Sequence, residues 1–190
     1  RFDQGFLYDP SGLTAAPAAP RVATFGQTLT GFQQRTVRVL LPRGYDAATK
    51  SYPVVYAQDG QNVFSPGGPF GSWDLDLTIS ALTAKAEIPE VILVGIDNTS
   101  DRIAEYTPDV SVIPGVTGRG DDFLDAIAAE LIPRIESTYR AEGGAENRVH
   151  VGSSLGGLLG YFAASERRGV WGTAVAMSPA FWVATAPNQS

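Results

Sequence analysis

The chain has 190 residues, 44% of them hydrophobic, enough for one domain with a real core. A net charge of -6 and a pI near 4.7 argue against nucleic acid or an anionic membrane as partner. Cysteine is absent, which excludes disulfides, thiolate catalysis and cysteine-based metal sites, and no apolar run is long enough to span a bilayer.

In chain order, residues 1–20 read as an N-terminal arm or linker, with the extended run Ala15-Ala16-Pro17-Ala18-Ala19-Pro20. The start lacks both Met and a signal-like segment, so processing or trimming is expected before Arg1. Residues 21–190 read as the folded domain. Within it, 21–30 and 34–41 are expected to form two antiparallel strands joined near Gly31, and Gln34 to Leu41 partly alternates as a half-buried strand should. Tyr52 to Ala57 and Val91 to Ile96 are short continuous apolar runs, the pattern of strands buried on both faces. Between them, Trp73 to Lys85 carries Leu75, Leu77, Ile79 and Leu82, a crossover helix. A longer helix follows Gly118 to Gly120, with Phe123, Leu124, Ile127, Leu131, Ile132 and Ile135 on one face and a kink expected at Pro133. Val170 to Met177 is the last apolar strand, expected to be an exposed edge. Strands alternating with helices imply an α/β fold: a three-layer sandwich around a mostly parallel sheet.

The chemistry-bearing stretch is Arg148 to Gly160. Val149 and Val151 make it a strand at first; Leu158, Leu159, Tyr161 and Phe162 make it a helix afterwards. At the change sits Gly152-Ser153-Ser154-Leu155-Gly156, which matches G-x-S-x-G. A serine on a sharp strand-to-helix turn needs small residues two before and two after it, because strand and helix pass closely there. The first amides of the helix then point at any negative charge formed beside the serine. A helix N-cap is the plainer role for Ser154; the flanking strand and helix favour a nucleophile. Gly156-Gly157 and Gly160 do not read as a phosphate loop, since no lysine follows at the required spacing.

These residues carry a resemblance. Tyr52 to Tyr56, Asp59-Gly60-Gln61 and Phe64, Val91 to Asn98, Arg102, Glu105 to Pro108, Glu130 to Pro133, Gly152 to Gly157 and Ser178-Pro179 occur in an order similar to the esterase D / enterochelin-esterase-like family of α/β-hydrolases, to which feruloyl esterases and mycolyltransferases are related in fold. The resemblance covers residues 25 to 182. It implies an α/β-hydrolase sandwich and a serine acyl-enzyme, with Ser154 as nucleophile. It also implies oxyanion-hole amides at Leu155 and Gln61, each typically worth about 3 kcal/mol of barrier. Trp73, Arg102, Glu105 and Tyr106 match family positions, where substrate contact stands beside loop packing and a local ion pair. Trp182 either lines a pocket or is an aromatic left bare.

The chain departs from the family in its proton-transfer groups. α/β-Hydrolases carry acid and then histidine after the serine. Here the only carboxylate after Ser154 is Glu166, and the single histidine, His150, precedes it. At about 3.3 Å per residue, His150 lies about 13 Å from Ser154 along its strand, with its ring in a sheet face. It reads as a structural histidine, and nothing in the position of Lys85 supports a Ser-Lys pair. The 190 residues thus read as the N-terminal two-thirds of a serine esterase. Acid and histidine are expected from sequence absent here, such as a C-terminal polypeptide completing the sheet.

The expected function is hydrolysis of a small-molecule or glycan-linked carboxylic ester, without a cofactor. A non-catalytic α/β-hydrolase-like binding module, or inactive fragment, and an acyltransferase of the same fold are the alternatives. Asp97, Asp101, Asp121 and Asp122 read as solvated loop and helix-end charges rather than metal ligands. The acidic, cysteine-free composition and the Pro/Ala-rich start fit a secreted or periplasmic enzyme, and also a cytoplasmic one.

Overall fold

The computed structural model describes residues 19–109 and 113–183. Most of the expected N-terminal arm lies outside the described residues. Six strands form one sheet: β1 (Arg21–Gln27), β2 (Arg35–Leu41), β3 (Val54–Gln58), β4 (Ile92–Ile96), β5 (Arg148–Ser153) and β6 (Thr173–Met177), in the order β1-β2-β4-β3-β5-β6. β1 and β2 are antiparallel, as is β2 with β4; β4, β3, β5 and β6 are mutually parallel. The first hairpin is the one expected, but β1 stops at Gln27 rather than residue 30. There Leu29 turns into the core, and the Thr30 N–H donates to Glu130 at 3.0 Å.

The period of two along the strands sorts the core into two faces. On one face Val37, Val39, Leu41, Val54, Tyr56, Ile92, Val94 and Ile96 pack under the helices α3 (Arg102–Tyr106), α4 (Gly120–Ala126), α5 (Ile132–Thr138) and α6 (Leu155–Glu166). On the other, Leu40, Ala57, Leu93 and Val151 pack with Val63, Phe64 and Ile79 of α1 (Gly60–Val63), α2 (Leu75–Ala84) and the residue after α1. The result is an α/β fold of three layers.

The long helix expected after Gly120 is continuous but not regular. Between α4 and α5 it widens into a π-helical turn over Ile127–Leu131, immediately before Pro133. Proline has no N–H to give the carbonyl four residues back, and its ring crowds that carbonyl; a locally wider helix accommodates both faults without a break. Ile127, Leu131, Ile132 and Ile135 all stay buried through it.

One charged pair sits wholly inside the core. The Arg35 guanidinium on β2 donates to both Glu105 oxygens, at 2.7 and 3.0 Å, with both side chains essentially without solvent contact. Phe123 stacks under the guanidinium at 4.6 Å. The pair ties α3 to the antiparallel half of the sheet. Removing one partner strands the other charge in a low-dielectric interior. Arg35→Met is therefore expected to lower unfolding free energy by about 3–5 kcal/mol. A urea midpoint equal to that of the unaltered chain would show that the pair does not anchor α3.

Candidate active site

The C-terminal ends of the four parallel strands meet at one edge of the sheet, where α/β folds place their ligands. β3 runs into Asp59, β4 towards Asn98, β5 into Ser154 and β6 into Ser178. Asp59, Asn62, Phe70, Trp73, Asn98, Arg102, Ser153 and Ser154 line a cleft of about 440 Å³ there.

Ser154 is exposed and has φ +56° and ψ -119°, a region that side chains other than glycine rarely enter. The close crossing explains it. A Cβ on Gly152 would run into the Gly156 carbonyl, and one on Gly157 would come within 3.0 Å of the Met177 carbonyl. The strand can therefore pass into α6 only with two small residues on either side of a forced turn. That turn is held from the end of β6 and the residues after it: the Ser154 N–H donates to the Met177 carbonyl at 3.0 Å, and the Ala180 N–H donates to the Ser154 carbonyl at 3.1 Å. Leu155 is the first residue of α6 and Gln61 the second of α1, so both amides belong to first turns, whose N–H groups have no partner within the helix. The Gln61 side chain accepts the Asn98 N–H at 3.1 Å.

In the sequence Asp59 stands out only as part of the Asp59-Gly60-Gln61 motif. It is buried and left-handed, with φ +59°. Its carboxylate takes Arg102 bidentately, at 2.7 and 2.8 Å, and Asn98 Nδ2 at 2.5 Å. Its N–H donates to the Tyr106 hydroxyl at 3.3 Å, and burial holds that hydroxyl's pKa well above the usual range, so it stays protonated. A local pair between Arg102 and Glu105 does not form. The two residues lie on one helix but reach opposite ways, Arg102 to Asp59 and Glu105 to Arg35. No sequence signal joined Asp59 to Arg102, 43 residues apart.

Trp73 reaches the cleft; Trp182 does not. It lies on the short turn Phe181–Val183, 69% exposed, outside the cleft lining. Among the described residues, no group of His, Asp and Glu side chains has a metal-binding arrangement.

His150 is fully buried on β5, edge-on to Trp171 at 5.3 Å, with Gln58 Nε2 3.1 Å from its Nε2. Gly160 of α6 covers it so closely that a Cβ there would sit 2.7 Å from Nδ1. It cannot reach the cleft. Burial pushes its imidazolium down to about 4, from an ordinary 6.5. The folded state thus keeps the ring neutral while the unfolded chain takes up a proton first. Stability from this group is complete above pH 6.5 and is lost as pH falls to about 4, a difference of about 3 kcal/mol. His150→Gln should flatten that part of the pH profile of the urea midpoint; an unchanged slope would assign it to other groups.

The comparisons with known proteins agree with this geometry. The family described as "Putative esterase" matches residues 31–189. The uncharacterized protein YbbA of Bacillus subtilis is 30% identical over 153 residues, 78% of this chain and 58% of its own. An IroE-like serine hydrolase from Shewanella oneidensis superposes with a TM-score of 0.71 at 30% identity, over 86% of this chain and 51% of its own. The enterobactin esterase FES of Shigella flexneri, at 21% identity and a TM-score of 0.69, shares the fold over 87% of this chain and 39% of its own. The chain thus spans about half the length of these relatives. A strained serine between a parallel strand and the helix it enters, on an α/β sandwich matched over five-sixths of the sequence, places the chain in this esterase family.

Proposed function

We propose that this chain is the nucleophile-bearing part of a serine carboxylic-ester hydrolase. The observation that carries the reading is the Ser154 turn: a hydroxyl held exposed by a backbone that β6 locks in place, beside the first amide of a 12-residue helix. Ser154 Oγ attacks the ester carbonyl while its proton passes to a base. The carbonyl oxygen becomes an oxyanion received by the Leu155 and Gln61 amides. Collapse breaks the ester C–O bond and the protonated alcohol leaves. Water, deprotonated by the same base, then releases the acid and restores the serine.

The base and its supporting acid come from polypeptide beyond these residues. His150 is buried away from the cleft and is the sole histidine of the sequence. Two features support a completing polypeptide. β6 is the sheet edge and alternates between exposed and half-buried, with Val175 and Met177 facing solvent. Beside it an apolar trough of about 540 Å³ lies between β5, β6 and α2, lined by Val55, Leu75, Ile79, Val151, Val175 and Met177 among others. A further strand beside β6 would carry the loop after it to the edge that holds Ser154. The substrate is a small-molecule or glycan-linked ester, and an extracytoplasmic location suits the composition.

An intact mass spectrum under denaturing conditions is expected to show a longer chain or a second polypeptide bearing a histidine and a carboxylate. In that complete protein, Ser154→Ala should reduce turnover of a p-nitrophenyl ester by at least about 10³-fold. It should also abolish labelling by a fluorophosphonate. Activity that survives the substitution would rule out the acyl-enzyme mechanism. A single species of this length without esterase activity would favour a binding module.

A further inference from the structure

The segment from Ser65 to Asp74 joins α1 to α2 and runs along the rim of the Ser154 cleft. Gly68 and Gly71 exchange backbone hydrogen bonds, at 3.1 and 3.0 Å, closing a tight turn with Pro69 and Phe70 at its tip. The flanks of the turn are tied to the body of the domain. The Ser65 N–H donates to Asp76 at 3.1 Å, and the Trp73 N–H donates to the Asn62 carbonyl at 2.8 Å. The segment is also packed against itself: a Cβ on Gly67 would strike the Gly71 backbone, and one on Gly68 would come within 2.5 Å of Asn62 Oδ1. Yet this closely built turn holds a phenylalanine ring out in water. Phe70 is 91% exposed and borders the same cleft as Ser154.

An apolar ring kept in solvent forgoes the free energy that burial supplies. A ring carried on a hydrogen-bonded turn also has little conformational freedom left to lose when something packs on it. Both costs fall in the free protein, and both are recovered when a ligand covers the ring. The rest of the cleft is polar, made by Asp59, Asn62, Asn98, Arg102 and the two serines, so its apolar contact comes from Phe70 and Trp73. An ester divides in the same way, into a polar carboxyl group at the reacting carbon and hydrocarbon on one or both sides.

We propose that Phe70 is a specificity-determining residue that packs against an apolar group of phenyl size or larger in the ester presented to Ser154. The inference rests on the ester reading of the site. Aromatic rings prefer offset or edge-to-face contact, and either is open to a ring that is 91% exposed.

The test uses the complete protein carrying Ser154→Ala, which binds an ester without turning it over, and two probes that differ in one group, ethyl phenylacetate and ethyl acetate. Affinities are read by chemical-shift titration. Adding Phe70→Ala is expected to weaken ethyl phenylacetate about five-fold while leaving ethyl acetate within about two-fold, and Phe70→Leu should fall between. The melting temperature should not move, since the ring contributes no burial. Equal weakening of both esters, no weakening, or binding of neither overturns the inference. The hydrolase reading is judged separately by Ser154-dependent turnover in the complete protein. Turnover with an acyl preference that Phe70→Ala leaves unaltered overturns the Phe70 inference alone. Phe70-dependent binding without turnover supports it and overturns the hydrolase reading alone.

Discussion

The structure depends first on how closely β5 and α6 pass each other. Gly152, Gly156 and Gly157 remove every side chain from the crossing, and the backbone still has to enter the helix through a residue with φ +56°. Such a conformation costs on the order of 1–3 kcal/mol and persists only where its surroundings over-determine it. Here β6 and the residues just after it supply that determination: the Ser154 N–H donates to the Met177 carbonyl and the Ala180 N–H donates to the Ser154 carbonyl. The strain is what lifts the serine clear of the sheet. A relaxed helix start would leave its hydroxyl capping the helix instead.

A second layer of constraint surrounds that turn. The loops that make the cleft leave three different strands, and loops so placed would wander without cross-ties. Asp59 joins them: its carboxylate reaches Asn98 after β4 and Arg102 on α3, while Oδ2 lies near the elbow at Gly156. α3 is anchored in turn by the buried pair between Glu105 and Arg35. Three side chains of one short helix thus make three different attachments, to the cleft floor through Arg102, to the sheet through Glu105 and to the Asp59 amide through Tyr106. The Arg35–Glu105 pair is buried, so screening by salt weakens it little, whereas Arg102 in the other pair is partly open to solvent.

Much of this was legible beforehand because periodicity reports burial. The continuous runs Tyr52 to Ala57 and Val91 to Ile96, the alternation of Gln34 to Leu41 and the change from strand to helix spacing after Val151 each correspond to an element of the fold. Their ends were less legible. β1 stops short because Leu29 is drawn into the core, and the long helix turns π-helical before Pro133; in both, packing or a missing N–H overrode a local pattern. His150 was readable as structural from its distance along the strand, and the structure adds what buries it, the covering Gly160 and the Trp171 ring.

Sequence alone determined the elements, the three-layer class and the place of Ser154 between a strand and a helix, because hydrophobic period and small-residue spacing are local properties that chain geometry translates directly into structure. It also showed that, within these 190 residues, the single histidine precedes Ser154. Tertiary structure alone decided which charges meet. Arg102 and Glu105, three residues apart, part company because one faces the cleft and the other the core. It alone also separated the two tryptophans, bringing Trp73 to the cleft and leaving Trp182 outside it, and it set Phe70 out in solvent on a closed turn. These outcomes depend on contacts between residues distant in sequence, and side-chain direction at such contacts is fixed by packing rather than by any pattern along the chain.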